Sequence, residues 1–278
     1  MNFSIRSLGK TLGFQPGDHL VLFGEYFPRG YVHGLVQQAQ AHGVHVVYST
    51  VGRRSESGEL RSLSSDELVG LPNPLINIPL EAGFDLEQNA RGQKPVDLLS
   101  ELKLSNWDQT TISESDWSSA QKKGRERFTA NVKLWVQELE KILVPGKNVH
   151  FAHLMAGGVL RAKILLPLMN RVLKGSGERF LSSQKLWESP IGKLASQNFF
   201  EVTAESFHIL IQETKELCTR LEKQGTRVAY SAYGYHGTEI LIGQDYIWQT
   251  YTPYIQGWAK LRLEEYARKY QEKGVRSV

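Results

Sequence analysis

The chain has 278 residues, of which 41% are hydrophobic and 22% charged, a globular composition that excludes collagen-like, coiled-coil and wholly disordered proteins. Its 33 basic and 29 acidic residues leave a formal net charge of only +4, which gives little support to nucleic-acid binding. No window has the apolar length of a membrane span, residues 1–10 lack the apolar core of a signal peptide, and a single cysteine precludes an internal disulfide, so we expect a cytoplasmic protein.

The first elements of the chain predict a βαβ unit. The apolar run 19–23 ends at Gly24, and an amphipathic stretch at 31–42 ends at Gly43. The β-branched run 44–51 follows as a second strand. This order implies parallel strands joined by a right-handed crossover.

Later segments continue the alternation of strands and helices. The predicted elements are a short helix at 65–69, a strand at 75–80, a helix at 127–143, a strand at 149–154, an apolar helical stretch at 160–173, a helix at 203–224, a strand at 226–233, a hairpin-like segment at 234–249 and a helix from 253 to about 273. The alternation predicts an α/β fold, a Rossmann-like doubly wound parallel sheet in three layers. We expect a single domain over residues 1–278, with insertions at about 81–123 and 160–196 and with Trp107 and Trp117 anchoring the first insertion.

Glycines after the first strand indicate a phosphate-binding turn. Gly24, Gly30 and Gly34 fall at the strand end, the helix start and one turn inside the helix. The strict dinucleotide fingerprint is absent, but these positions suit close backbone approach to a phosphate at a helix N-terminus and close packing of helix on strand. Gly157, in a small-residue turn after the strand 149–154, is a further cofactor-binding candidate. A plain turn without a ligand remains the alternative at both places.

Two arginines follow the second strand, where this fold recognises the adenosine ribose. Arg53 and Arg54 suit the 2′-phosphate of NADPH, whereas NAD is usually read there by an acidic residue. NADPH is therefore the predicted cofactor and NADH the less favoured one. A solvated arginine pair is the alternative.

Candidate catalytic residues lie near the predicted C-terminal helix. In hydride-transfer enzymes a tyrosine hydroxyl bonds the substrate oxygen, and a lysine holds the nicotinamide ribose. Tyr251, Tyr254 and Lys260 are the candidates, although neither tyrosine is at helical spacing from the lysine. Tyr251 precedes the helix and can bend toward Lys260. The alternative is an aromatic packing face beside an exposed lysine.

Three other features have simpler readings. The basic cluster 122–127 is either a solvated helix start or a landing surface for an acidic partner such as acyl carrier protein. Cys218 lies in an apolar-periodic stretch and is expected to pack in a helix. His150 and His153 lack a third ligand in register, so no metal site is predicted.

The segments Ser231-Ala-Tyr-Gly234 and Gly257-Trp-Ala-Lys260-Leu-Arg-Leu-Glu264 resemble the fifth strand and lysine helix of short-chain dehydrogenases/reductases, in particular enoyl-acyl-carrier-protein reductases. The eight residues between Tyr251 and Lys260 match the spacing of FabV-type reductases. Over about residues 15–270 the chain most resembles the FabMG family of enoyl reductases.

The resemblance implies roles for particular residues. Tyr251 would be the acid or oxyanion-stabilising residue and Lys260 its ribose-binding partner, with Gly24, Gly30, Arg53 and Arg54 at the cofactor. It also implies an acyl carrier protein or acyl-CoA substrate and a dimer or tetramer. Short-chain reductases continue past the lysine helix with a sixth strand and a substrate-covering helix, so we expect the insertions to supply the substrate cover here.

These features together predict an NADPH-dependent reductase of trans-2-enoyl thioesters in fatty-acid synthesis. Two alternatives remain open at this point: a non-catalytic Rossmann-like nucleotide-binding protein and a short-chain reductase that acts on ketones.

Overall fold

A computed structural model describes residues 13–87, 95–103, 105–109, 114–155, 168, 183–233, 238–242, 245–249 and 255–278. Its strands are β1 (His19–Glu25), β2 (His45–Thr50), β3 (Arg53–Arg54), β4 (Leu60–Arg61), β5 (Leu75–Pro79), β6 (Val149–His153), β7 (Val228–Ala232), β8 (Thr238–Ile242) and β9 (Asp245–Gln249). Its helices are α1 (Gly30–Ala41), α2 (Ser65–Leu68), α3 (Pro95–Ser100), α4 (Glu114–Glu140), α5 (Ser183–Glu188), α6 (Pro190–Phe200), α7 (Ser206–Lys223) and α8 (Ile255–Gln271), with a 3-10 turn at Trp107–Gln109 and a π-helical turn at Glu201–Glu205.

The main sheet is parallel and has the order β5-β2-β1-β6-β7. Counted along its own strands this is the order 3-2-1-4-5 of a doubly wound sheet, which confirms the predicted Rossmann-like α/β fold. Two small antiparallel pairs, β3–β4 and β8–β9, lie outside it.

Helices cover both faces of the sheet, and β1 shows why. Its residues alternate between the two faces, with Leu20 and Leu22 packed on the α1 side and Val21 and Phe23 on the side of α4 and α7. A strand buried on both faces is mostly apolar, which accounts for the run Leu20-Val-Leu-Phe23.

Helix α4 is the largest departure from the predicted boundaries, because it begins at Glu114 and not at 127. Its second half carries the apolar stripe that the sequence shows and packs on the sheet, and the Trp135 indole N–H donates to Ser49 Oγ over 2.9 Å. The first half is polar on most of its surface and buries Trp117 and Ala120 in a different cluster, so no single stripe runs the length of the helix.

That second apolar cluster joins the two predicted insertions. Leu99, Trp107 and Trp117 from the first segment pack with residues of α5 and α6, including Leu194 and Phe199. The two tryptophans are buried as expected, in a cluster that also includes Ala259 of α8 and is separate from the cluster on the sheet. The assignment of the whole chain to one domain stays a prediction.

The last residues of the chain add backbone bonds beside β7. The Tyr230 N–H donates to the Arg276 carbonyl over 2.7 Å, and the Val278 N–H donates to the Tyr230 carbonyl over 2.9 Å. A parallel bridge thus joins Tyr230 and Ser277 at the position next to the fifth strand of the sheet. Among the helices that the structure describes, none is long and apolar enough to cross a membrane. The predicted helical stretch 160–173 falls outside the described residues apart from Leu168.

Candidate active site

The candidate site lies at the carboxyl edge of the sheet, where β1 and β6 end side by side. Helix α1 follows β1 on one face, whereas α4 and α7 cover the other face. The edge between Glu25 and His153 is therefore the topological switch point at which open parallel sheets form their ligand crevice.

Gly24 permits the end of β1 and the segment that follows β6 to approach closely at this edge. Its φ of +125° is one that side-chain-bearing residues rarely adopt, and an added Cβ would lie 3.1 Å from Leu154 Cβ. The Leu154 N–H donates to the Phe23 carbonyl over 2.8 Å, which fixes the chain after β6 against β1. A glycine is thus required here by both conformation and space.

Gly30 begins α1 with φ +74°, and an added Cβ would meet no heavy atom within 4 Å. Arg29, the N-cap residue, makes no side-chain capping bond, and the first turn has no acidic residue. This helix start suits an anion, because backbone N–H groups there lack intrahelical partners. Gly34 is exposed with open space around it, so the prediction that it allows close helix–strand packing is wrong.

Arg53 lies at the predicted place, after β2, but it is already paired. Its Nη1 and Nη2 atoms donate to the two carboxylate oxygens of Glu25 over 3.0 and 2.8 Å. The Arg53 side chain is 42% exposed and that of Glu25 18%. Glu25 was missed in the sequence analysis because the two residues are 28 positions apart.

Arg54 is held even more firmly and is only 8% exposed. Its Nε donates to Glu81 Oε1 over 3.0 Å, its Nη2 bonds the same carboxylate, and its Nη1 donates to the Gly58 carbonyl over 2.6 Å. A cavity of about 410 Å³ beside it is lined by more acidic than basic side chains, with Glu59, Asp85 and Glu87 against Arg54 and Lys123. This surrounding is unfavourable to a phosphate.

Lys260 reaches the same edge from α8. It is 4% exposed, and its Nζ donates to the Tyr233 carbonyl, just beyond β7, over 2.7 Å. Burial lowers the pKa of this ammonium to about 8. The predicted alternative of an exposed lysine is therefore wrong, and the structure brings Lys260 to the end of β7, the neighbour of the strand β6 that borders the switch point.

His153 occupies the last position of β6 and neighbours Lys260. Its Nε2 bonds Ser206 Oγ over 2.8 Å, and Phe23 and Phe207 flank its ring. Burial, followed by the positive charge of Lys260, lowers the pKa of His153 to about 3, so the imidazole is neutral. From the sequence, His153 is a candidate only for a metal ligand, and nothing in the local sequence marks Ser206 as its partner.

Other predicted site residues are not placed. Tyr251, Tyr254 and Gly157 lie outside the described residues. Their roles stay predictions.

The remaining candidates have structural roles. Cys218 is buried, with Sγ 3.1 Å from the Tyr230 hydroxyl, and burial raises the pKa of its thiol to about 11, so it packs as expected. In the basic cluster, Arg125 bonds the buried carboxylate of Glu201, and Arg127 Nη1 donates to Asp85 over 2.5 Å. These two arginines are thus neutralised within the fold.

Comparisons with known proteins indicate one and the same family. A family model described as enoyl-acyl carrier protein reductase FabMG matches residues 1–278. A solved structure described as apo FabMG, a novel type of enoyl-acyl carrier protein reductase, is 45% identical with a TM-score of 0.86, covering 95% of this chain and 61% of that one. A second, described as the NADH-bound structure of FabMG, is 39% identical with a TM-score of 0.65, covering 91% of this chain and 57% of that one.

The chain therefore spans about three fifths of the length of these two solved structures. No curated protein matches it significantly.

Proposed function

Because the chain belongs to the FabMG family of enoyl-acyl carrier protein reductases, we propose that it reduces trans-2-enoyl thioesters with a nicotinamide dinucleotide. The observation that carries the proposal is the position of Lys260. A buried ammonium without a carboxylate partner in the described residues lies at the carboxyl edge of a 3-2-1-4-5 parallel sheet, one strand from the glycine turn after β1.

The residues present fit a dinucleotide. Gly24 and Gly30 carry no side chain at the two ends of the turn after β1, and the uncapped start of α1 offers backbone N–H groups to a pyrophosphate. In our proposal Lys260 donates to the hydroxyls of the nicotinamide ribose. A bound nicotinamide supplies the hydride of the reaction.

The chain's own chemistry concerns the thioester oxygen. As the enoyl group is reduced, negative charge develops on that oxygen, and a hydrogen-bond donor at that place lowers the barrier. Tyr251 is our candidate donor, with Tyr254 as the substitute, and the positive charge of Lys260 would favour the proton transfer. The low dielectric around Lys260 strengthens its effect on a nearby charge.

The choice between NADH and NADPH turns on Arg53 and Arg54. A 2′-phosphate would have to displace Glu25 from Arg53, and the buried Arg54 already bonds Glu81 and Gly58. Glu25 is by contrast an acceptor that suits a 2′-hydroxyl. A relative has been solved with NADH. We therefore propose NADH as the better cofactor, with the NADPH preference expected from the sequence as the opposing outcome.

The test is oxidation of NADH by the purified chain with crotonyl thioesters of acyl carrier protein and of coenzyme A, and with a β-ketoacyl thioester as the control substrate. We expect turnover of the enoyl thioesters alone. Turnover of the ketone alone would instead identify a ketone reductase, and NADH binding without turnover of any substrate would identify a nucleotide-binding protein. The Lys260→Met variant, matched in length but uncharged, should bind NADH more weakly.

Membership of the family also suggests the carrier of the acyl substrate and the oligomeric state. We propose an acyl carrier protein substrate in preference to coenzyme A, and a dimer or tetramer. Comparing kcat/KM for the two crotonyl thioesters, and measuring the mass in solution by light scattering, tests both proposals.

A further inference from the structure

His153 is held in one orientation by its surroundings. Ser206 bonds Nε2 from one side, Phe23 stacks on the ring with centroids 6.1 Å apart, and Phe207 meets it edge-on at 5.4 Å. Ser206 directly follows the π-helical turn Glu201–Glu205, an irregularity that is frequent at functional sites. The ring is therefore fixed more tightly than packing of a strand end requires.

The hydrogen bonds of Ser206 define which nitrogen of His153 carries the proton. The Ser206 hydroxyl donates to the Val202 carbonyl over 2.5 Å, so it can only accept from the imidazole. Nε2 is then the protonated nitrogen, and Nδ1 of the neutral ring bears a lone pair. Within the described part of the chain Nδ1 has no hydrogen-bond partner, although His153 is only 1% exposed.

Among the described residues, Lys260 has hydrogen-bond donors without acceptors, whereas His153 has an acceptor, Nδ1, without a donor. Its ammonium carries three N–H donors, of which one is used by the Tyr233 carbonyl, and no carboxylate of the described residues pairs with it. A buried acceptor without a donor costs stability, as does a buried ammonium with unused donors. The Tyr233 N–H donates to the His153 carbonyl over 3.5 Å, so the residue whose carbonyl Lys260 bonds lies directly beside His153.

We propose that His153 is a positioning residue for Lys260, whose ammonium donates to the Nδ1 lone pair through one water. The imidazole would then hold the ammonium between the ends of β6 and β7, with its remaining donor directed to the cofactor ribose. This proposal rests on the proposed function for its purpose, but its geometry does not depend on catalysis.

The test compares two amides that imitate different halves of the imidazole. His153→Asn places its amide near the position of Nδ1 and loses the bond to Ser206, whereas His153→Gln reaches Ser206 and leaves nothing at Nδ1. The readout is the titration of Lys260, followed by NMR of the lysine Cε methylene and assigned with Lys260→Arg. Neither Ser206, Phe23, Phe207 nor the Tyr233 carbonyl brings a charge to the pair, so the titration reports mainly on Nδ1.

If Nδ1 stabilises the ammonium, His153→Gln lowers the Lys260 midpoint by about one pH unit, a tenfold change in acid constant, whereas His153→Asn shifts it by less than about half of that. A structural role confined to the Ser206 bond predicts the reverse order of the two variants, and equal shifts would also overturn the proposal. His150→Gln is the matched control, because His150 lies in the same strand as His153 and its Nε2 also bonds a serine, Ser231, over 2.8 Å. This variant should leave the Lys260 midpoint unchanged.

Should the Gln variant fail to fold, Ser206→Ala removes the ring's anchor with a small change in volume. It is expected to lower the Lys260 midpoint, and an unchanged midpoint would refute the proposal. The titration needs no turnover, so it distinguishes failure of this proposal from failure of the proposed reaction. If the chain reduces enoyl thioesters, kcat should also be higher for His153→Asn than for His153→Gln.

Discussion

Replacing Glu25 by glutamine should shift the cofactor preference of the protein toward NADPH. Glu25 bonds both terminal nitrogens of Arg53, at 2.8 and 3.0 Å, and its carboxylate lies where a 2′-phosphate would have to approach. The substitution keeps the size of the side chain but removes one negative charge and releases the guanidinium.

The magnitude follows from the exposure of the pair. With the Arg53 side chain 42% exposed and that of Glu25 18%, the ion pair is worth at most about 1 kcal/mol after solvent screening. Removing a like-charge repulsion with the phosphate contributes a similar amount. Together they amount to at most about 2 kcal/mol, which predicts a gain in NADPH affinity of up to about thirtyfold. NADH, which has no 2′-phosphate, should gain nothing and should lose a bond if its 2′-hydroxyl donates to Glu25.

Dissociation constants for both cofactors, measured by fluorescence titration of the reduced nicotinamide, give the comparison. Glu140→Gln is the matched control, because Glu140 forms an exposed pair with Arg220 over 2.6 Å at the carboxyl end of α4, just before the loop that leads into the amino end of β6. An NADPH affinity that stays unchanged or falls in Glu25→Gln would refute the assignment of Arg53 to the adenosine end of the cofactor.

Three further predictions concern stability and reactivity. Gly24→Ala should lower the free energy of unfolding by about 2 kcal/mol, because a φ of +125° is strained for alanine and the added Cβ would meet Leu154. Gly34→Ala, at an open position in a helix, should raise the free energy of unfolding by up to about 1 kcal/mol. Urea unfolding of the two variants measures both changes. Burial lowers the pKa of Lys260 from its ordinary value of 10.5 to about 8, so between these pH values the unfolded chain binds more protons than the folded protein. The free energy of unfolding should therefore increase by about 3 kcal/mol as the pH rises over that range, and this increase should be absent in Lys260→Met. An increase of equal size in the variant would contradict the effect of burial on Lys260. Cys218, buried and with a thiol pKa of about 11, should resist iodoacetamide at pH 8 until urea unfolds the chain, and rapid labelling of the native protein would show that its packing is misjudged.

The sequence was most informative where local rules decide the structure. The first βαβ unit was predicted within one or two residues, because Gly24 and Gly43 mark its boundaries and an apolar run buried on both sides reads as a parallel strand. The family resemblance, confirmed by the match over residues 1–278, was carried by the lysine helix.

Long-range pairing was what the sequence could not supply. The partners of Arg53 and Arg54 are 28 and 27 positions away, so two arginines that read as a free phosphate site are in fact bonded to carboxylates. Helix α4 was predicted too short because its two halves bury different faces in different clusters. The bond between His153 and Ser206 joins residues 53 positions apart across a π-helical turn that has no recognised sequence signal.

Whether the chain reduces enoyl thioesters is decided by mixing the purified protein with NADH and crotonyl-acyl carrier protein, and following both the absorbance of the reduced cofactor and the mass of the acyl group. We expect one butyryl thioester formed for each NADH consumed, and a rate greatly reduced in Lys260→Met. Loss of NADH without a gain of two mass units in the acyl chain, or an undiminished rate in the variant, would contradict this expectation.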